Sequence, residues 1–181
     1  FYTDGAKLAG HATRGVPGIE VSSGALGHGL SMAVGMALAA KRDHAPWRVF
    51  AVLSDGECDE GSTWEAAMLA AQHGLDNLVA IIDYNKIQAL GRTGDVVDLE
   101  PFLDKWTAFR WSAREMDGHD TRGLEETLSC VPFEPNKPTC IIAHTVKGKG
   151  VSFMEDSLLW HYRNPQGEEF EMAMRELELG Q

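Results

Sequence analysis

The chain has 181 residues, 44% of them hydrophobic, enough for one globular domain with a sizeable core. Its 16 Lys and Arg stand against 27 Asp and Glu, a net charge of −11, which argues against a nucleic-acid or anionic-membrane partner. A phosphorylated ligand is not excluded, because a bound metal and helix N-termini can supply local positive charge.

Phe1 is not an initiator methionine, so the chain is expected to begin partway through a longer protein, as a single domain over 1–181 that is incomplete at its N-terminus. The first twenty residues are rich in Gly and Pro and read as an extended loop. Ser22 to Gly29 then leads into Leu30–Ala40, apolar on nearly all sides and rich in Gly and Ala, the pattern of a buried helix. Lys41 and Arg42 follow at its C-terminal end, where the helix dipole favours cations. Val49–Leu53 is a continuous apolar run, the mark of a strand covered on both faces. Ser62 or Thr63 can cap a helix reaching about Gly74, with Trp64, Ala67, Met68 and Ala71 on one face. Leu78–Ile82 is the next buried strand, and the three elements predict a right-handed βαβ unit with parallel strands.

Phe102–Ala108 reads as a short helix, Trp111–Met116 as a strand and Arg122–Cys130 as a helix. Pro132, Pro135 and Pro138 break the chain before the strand Thr139–Ala143. In the tail, Phe170, Met174 and Leu177 share one face of an amphipathic helix. Cys58, Cys130 and Cys140 contain no CxxC and leave one thiol unpaired in any disulfide scheme, so free thiols in a reducing compartment are expected. No apolar run reaches the ~18 residues of a membrane span, and cytoplasm is the expected location. The expected fold is α/β, a doubly wound, mostly parallel sheet with helices on both faces.

Two strand ends carry the chemistry. Ser54-Asp55-Gly56-Glu57 closes the first apolar run, and Asp83-Tyr84-Asn85-Lys86-Ile87 closes the second. One helix-length and one strand-length segment separate Asp55 from Asn85, so both fall beyond the carboxyl ends of neighbouring parallel strands, where ligands of such sheets sit. Mg²⁺ takes about six oxygens, several of them commonly from a phosphorylated ligand. A carboxylate, an amide oxygen and the Ile87 carbonyl would leave places for phosphate oxygens and water, and Gly56 would let the backbone approach a phosphate. A calcium loop of the EF-hand type fails, because Glu60 stands where glycine is needed and Ala66 where the bidentate glutamate belongs. The N–H groups of Gly24–Gly29 could face an anion, but tight packing of a Gly/Ala helix explains the same residues. On the residues alone His11 and His161 read equally as site groups or as an exposed and a packed histidine, and Glu60 and Glu65 also suit the start of a solvated helix.

Ser54-Asp55-Gly56-Glu57, Glu60-Gly61, Trp64-Glu65-Ala66-Ala67, Leu75-Asp76-Asn77-Leu78, Asp83-Tyr84-Asn85-Lys86-Ile87-Gln88 and Gly91 together resemble transketolase. The likeness is greatest to the N-terminal subunit of transketolases split over two chains. Gly10-His11, Pro17-Gly18-Ile19-Glu20, Gly24-Ala25-Leu26-Gly27, Asp117-Gly118-His119-Asp120, Lys137-Pro138-Thr139 and Gly148-Lys149-Gly150 extend it over nearly the whole chain. The resemblance implies a thiamine diphosphate enzyme that moves a two-carbon ketol unit from a ketose (phosphate) to an aldose (phosphate). It implies that Asp55, Asn85 and the Ile87 carbonyl hold Mg²⁺ or Ca²⁺, and that Gly56, Glu57, Asn85 and His161 meet the cofactor's diphosphate end. Gly24, Ala25 and Leu26 would line the thiamine site. His11 and His161 would touch the sugar phosphate substrate in catalysis, and Glu60 and Glu65 would lie at a dimer interface.

Ser54 departs from the family's usual glycine. The family's segment that would precede Phe1, with further histidines, is not in this chain, nor is the pyrimidine-binding domain with its activating glutamate. The implied partner is therefore a C-terminal transketolase subunit carrying that domain, in a dimer or heterotetramer. The alternatives are another thiamine diphosphate enzyme, deoxyxylulose-phosphate synthase-like or 2-oxo acid decarboxylase/dehydrogenase-like, and a non-catalytic nucleotide-binding domain of the same fold. The Glu57–Glu65 segment and Trp160-His161 favour transketolase.

Overall fold

The computed structural model describes residues 4–179. In chain order the elements are α1 (Gly29–Arg42), β1 (Val49–Ser54), α2 (Gly61–Gln72), β2 (Leu78–Tyr84), β3 (Ile87–Gln88), β4 (Gly91–Arg92), α3 (Thr93–Val96), α4 (Phe102–Ala108), β5 (Ser112–Asp117), α5 (Thr121–Ser129), β6 (Thr139–His144) and α6 (Glu168–Leu179). Short 3-10 turns cover Gly56–Asp59 and Leu158–His161. Residues 4–28 form neither helix nor strand, as their Gly and Pro content predicts.

The main sheet is four-stranded and all parallel, in the order β1-β2-β6-β5, and β3 and β4 form a small antiparallel ribbon. The register pairs Ser54 with Asp83, Asp83 with Ala143, and Ala143 with Met116. The carboxyl ends of all four strands therefore open on one edge. The larger core lies on one face of the sheet. There Leu30, Val34 and Ala37 of α1, Ala67 and Ala70 of α2, and Phe102 and Trp106 of α4 pack against Leu53, Leu78, Ala80, Ile82 and Ile142. On the other face Val79 and Ile141 meet Val131, with Leu128 of α5 and Phe133 against them. Helices on both faces follow from strands whose alternate residues are both apolar.

β2 and β6 are buried on both faces, but β1 is not. Phe50 and Val52 are exposed, Val52 at 73%, while Ala51 and Leu53 are buried. A run of five apolar residues looks the same whether one face or two are covered. α1 is likewise open on one side, with Ser31, Met32, Gly35 and Ala39 exposed. In α2, Ala66, Ala67 and Ala70 face the core and Met68 faces solvent. Neither Ser62 nor Thr63 caps α2; its N-cap is Glu60. The two hydroxyls donate instead to the carbonyls of Gly27 (2.9 Å) and Glu57 (3.0 Å). They tie the helix start to neighbouring loops rather than to its own first turn. α6 forms as expected, yet Phe170, Met174 and Leu177 remain exposed.

Candidate active site

Asp55 directly follows β1 and is only 1% exposed. Its Oδ1 accepts from the Gly56 N–H (2.7 Å) and its Oδ2 from the Lys86 N–H (2.6 Å). The Asp55 N–H donates to the Asp83 carbonyl (3.2 Å), so the two strand ends are laced together. Asn85 lies on the same edge, its Oδ1 accepting from the Ile87 N–H (3.0 Å) and its Nδ2 donating to Asp83 Oδ1 (3.3 Å). Asp55 is thus bonded to the main chain between Asn85 and Ile87, the other two groups read as metal ligands. Burial pushes the Asp55 carboxyl above the usual carboxylate range; the N–H groups of Lys86 and Gly56 offset part of this, the Asp83 carboxylate adds to it, and the charge of Lys147 opposes it. A buried carboxylate with a raised pKa suits a site completed by a cation.

This shift has a sign. The metal-free folded protein holds the Asp55 proton at a pH where the unfolded chain, near 3.8, would have lost it. The group's contribution to stability is full below the unfolded value and is lost as pH rises through the folded one. Acidification from neutrality is therefore expected to stabilise metal-free wild type relative to Asp55→Ala. Urea unfolding of both proteins at stepped pH measures it, and parallel pH profiles would contradict it.

Gly56 is followed by Glu57, which is 8% exposed and turns inward. Glu57 Oε1 accepts from the Gly27 N–H (3.0 Å) and sits 3.6 Å from where a Cβ on Gly29 would lie. The Glu57 side chain thus holds the Gly-rich loop just before α1. The close approach that demands glycine at position 56 is by Gln88, whose Cβ would be 2.9 Å from a Gly56 Cβ. Ala25 and Leu26 are exposed at the loop's tip, Leu26 at 53%. His11 is exposed and packs over Gly24, its ring 3.3 Å from a Cβ built there. Glu60 and Glu65 are exposed, and Glu65 shares a shallow groove with Met68, Leu69 and Phe109.

The loop after β6 closes the site. Thr145 N–H donates to the Tyr84 carbonyl (3.3 Å), Val146 N–H to His119 Nε2 (2.8 Å) and Asp156 N–H to the Lys147 carbonyl (2.9 Å). Arg92 of β4 grips Asp156 with both terminal nitrogens, at 3.0 and 2.7 Å. Lys147 is held where its charge acts on both Asp55 and His161. The signal for it was its place just beyond a parallel strand's carboxyl end. His161 is half-buried beside the β3 turn, and its Nδ1 is buried with no hydrogen-bond partner. Burial first, then Lys147, lowers its pKa, so the ring is neutral at pH 7. His119 takes a structural part through Val146, and His144 lies against Tyr84. Among the described residues, no three His, Cys, Asp or Glu side chains form a metal cluster by themselves. One carboxylate with an amide and a carbonyl suits a metal that draws its remaining oxygens from a ligand.

The family described as "Transketolase, thiamine diphosphate binding domain" matches residues 1–177. The chain belongs to the transketolase family. It is 50% identical over 173 residues to an apulose-4-phosphate transketolase subunit of Phocaeicola vulgatus, covering 96% of this chain and 62% of that protein. It is 43% identical over 175 residues to the 6-deoxy-6-sulfo-D-fructose transketolase subunit SqwG of Clostridium sp., covering 96% and 64%. Among solved structures, the transketolase of Campylobacter jejuni superposes with a TM-score of 0.88 at 29% identity, over 98% of this chain and 29% of that one. A Pichia stipitis transketolase complex with sedoheptulose-7-phosphate gives 0.86 at 28% identity, over 98% and 28%. The chain thus spans about three-fifths of the length of the subunit relatives. This transketolase-family domain has the parallel-sheet fold of these enzymes. No helix among the described residues is long and apolar enough to cross a membrane.

Proposed function

We propose that the chain is the cofactor-diphosphate part of a cytoplasmic, two-chain transketolase that transfers a two-carbon ketol unit from a ketose (phosphate) to an aldose (phosphate). The observation that carries this reading is the buried Asp55 carboxylate beside Asn85 and Ile87, at the carboxyl ends of adjacent parallel strands. Asp55, Asn85 and the Ile87 carbonyl would hold Mg²⁺ or Ca²⁺. Gly56 and Lys147 would meet the diphosphate, whose charge the metal and the ammonium group offset. Thiamine diphosphate supplies the carbanion chemistry when bound.

The chain's own groups anchor, orient and move protons. The exposed Leu26, with Gly24 and Ala25, offers an apolar ledge for the ring end of the cofactor. His161, neutral with an unpartnered Nδ1, can exchange a hydrogen bond with diphosphate or substrate, and His11 stands over Gly24 to meet the sugar. The glutamate that activates the aminopyrimidine would come from a C-terminal subunit, in a dimer or heterotetramer. Glu65, exposed next to the apolar Met68 and Leu69, suits such an interface, and Glu60 is exposed at the start of the same helix.

The test uses the full-length protein in complex with its partner. With Mg²⁺ and thiamine diphosphate, a ketose donor should be shortened by two carbons as an aldose acceptor is lengthened by two. Pyruvate consumption in its place, or ATP binding without thiamine diphosphate binding, would sink the reading. Lys147→Ala in this assembly is expected to weaken thiamine diphosphate binding about 10-fold, the loss of roughly one charge-assisted hydrogen bond. Calorimetry reads it, and unchanged affinity would return Lys147 to the solvent.

A further inference from the structure

Asp83 is not among the proposed metal ligands, yet its carboxylate stands between two groups that shape the site. It is exposed, on β2, in register with Ser54 on one side and Ala143 on the other. One oxygen, Oδ1, accepts two hydrogen bonds: from Asn85 Nδ2 (3.3 Å) and from the Thr145 hydroxyl. Thr145 opens the loop that presents Lys147. We propose that Asp83 is a positioning residue, which turns the Asn85 amide oxygen toward the metal and ties that choice to the Lys147 loop.

The Asn85 amide can sit in two orientations. Its oxygen and nitrogen are nearly the same size, and a half-turn of the side chain exchanges them. Only the oxygen can ligate a cation. In the present orientation the Ile87 N–H donates to Oδ1 (3.0 Å) while Nδ2 donates to a carboxylate. The half-turn would set the amide N–H₂ against the Ile87 N–H and the amide oxygen against Asp83, two donors together and two acceptors together. Both contacts oppose the flip, because each matches a donor to an acceptor. Oδ1 has a second lone pair, so the bond from Ile87 leaves it free to bind metal. The same Asp83 oxygen, through Thr145, fixes the start of the segment whose lysine would face the diphosphate. Supporting groups of this kind typically change metal affinity 10- to 100-fold.

The inference rests on the metal–diphosphate reading, and the experiment separates the two. In the assembled enzyme with thiamine diphosphate, Mn²⁺ affinity is measured by electron paramagnetic resonance for wild type, Asp55→Ala, Asp83→Ala and Asp83→Asn. Asp83→Ala should weaken Mn²⁺ binding about 10-fold. Asp83→Asn keeps an acceptor oxygen for both donors and should restore affinity to near wild type. If Asn proves as weak as Ala, Asp83 acts through its charge and the positioning role is overturned. Asp83→Ala placed on Asn85→Ala should cost nothing further; a full additional loss would also overturn it. If Asp55→Ala binds Mn²⁺ like wild type, it is the metal reading that falls. If Asp55→Ala loses binding while Asp83→Ala does not, only the positioning role falls.

Discussion

Asp55→Ala, in the full-length protein bound to its partner, is expected to weaken Mg²⁺-dependent thiamine diphosphate binding by at least ~100-fold and to remove ketol transfer with it. Loss of a group that merely supports a metal ligand reaches that size, so loss of the one carboxylate among three proposed ligands should not fall below it. Asn85 and the Ile87 carbonyl are neutral. Without Asp55 the metal would meet the diphosphate with no charged protein ligand. The fold should survive. Asp55 is buried and accepts two main-chain N–H groups, from Gly56 and Lys86, so the space left by its carboxylate is polar and can admit a water to them. Titrating the assembled variant with cofactor at saturating Mg²⁺ reads the effect. Unchanged affinity would remove Asp55 from the metal site.

The second large effect is structural in origin. Gly27→Ala is expected to destabilise the protein by about 2–5 kcal/mol, the combined scale of a left-handed backbone at a non-glycine residue and of an overpacked site. Gly27 has φ +78°, and an added Cβ would collide with the Ser62 hydroxyl and lie 2.7 Å from Glu60 Cβ. Its N–H and C=O are both committed, to Glu57 Oε1 and to Ser62. Moving Gly27 to relieve the collision breaks both bonds and frees the Glu57 carboxylate from the start of α1. Thermal and urea unfolding should show the loss. Cofactor affinity should fall too, because the same loop carries Gly24, Ala25 and Leu26. Wild-type stability would mean that the loop relaxes at no cost and is not clamped by α2.

The strands β1, β2, β5 and β6, the helices between them and the placing of Asp55 and Asn85 at strand ends were legible in the chain. Continuous apolar runs ending in Asp or Asn are local signals, read within a few residues. Glu57 was not legible in the same way. Its neighbours suggest a cofactor contact, but its side chain reaches Gly27, thirty residues back, because α1 begins beside the β1 turn. Ser62 and Thr63 look like helix caps from their positions, and they bond elsewhere because α2 starts against two loops. Lys147 looks like one of two interchangeable lysines in a Gly-rich stretch. Gly148 (φ +77°) turns the chain there, and the Arg92–Asp156 and Val146–His119 ties hold that loop to β4 and to the turn after β5, with the charge of Lys147 felt at Asp55. Likewise Phe50 and Val52 belong to an unbroken apolar run, and only the sheet order shows that β1 lies at an edge with one open face.

Continuous apolar runs, turn residues and the motif order were enough to point to a parallel α/β domain resembling transketolase, with a metal–diphosphate site as its candidate centre. Those features depend on contacts between residues near in sequence, or on a pattern that each strand repeats. Which buried carboxylate lies at the strand ends and which bonds the Gly-rich loop, how the Lys147 segment is tied down, and which hydrogen bonds orient the Asn85 amide depended on contacts between distant segments. Asp55 and Glu57 are two residues apart and both buried. Their side chains part because one directly follows a strand at the open edge of the sheet and the other turns back to the loop just before a helix.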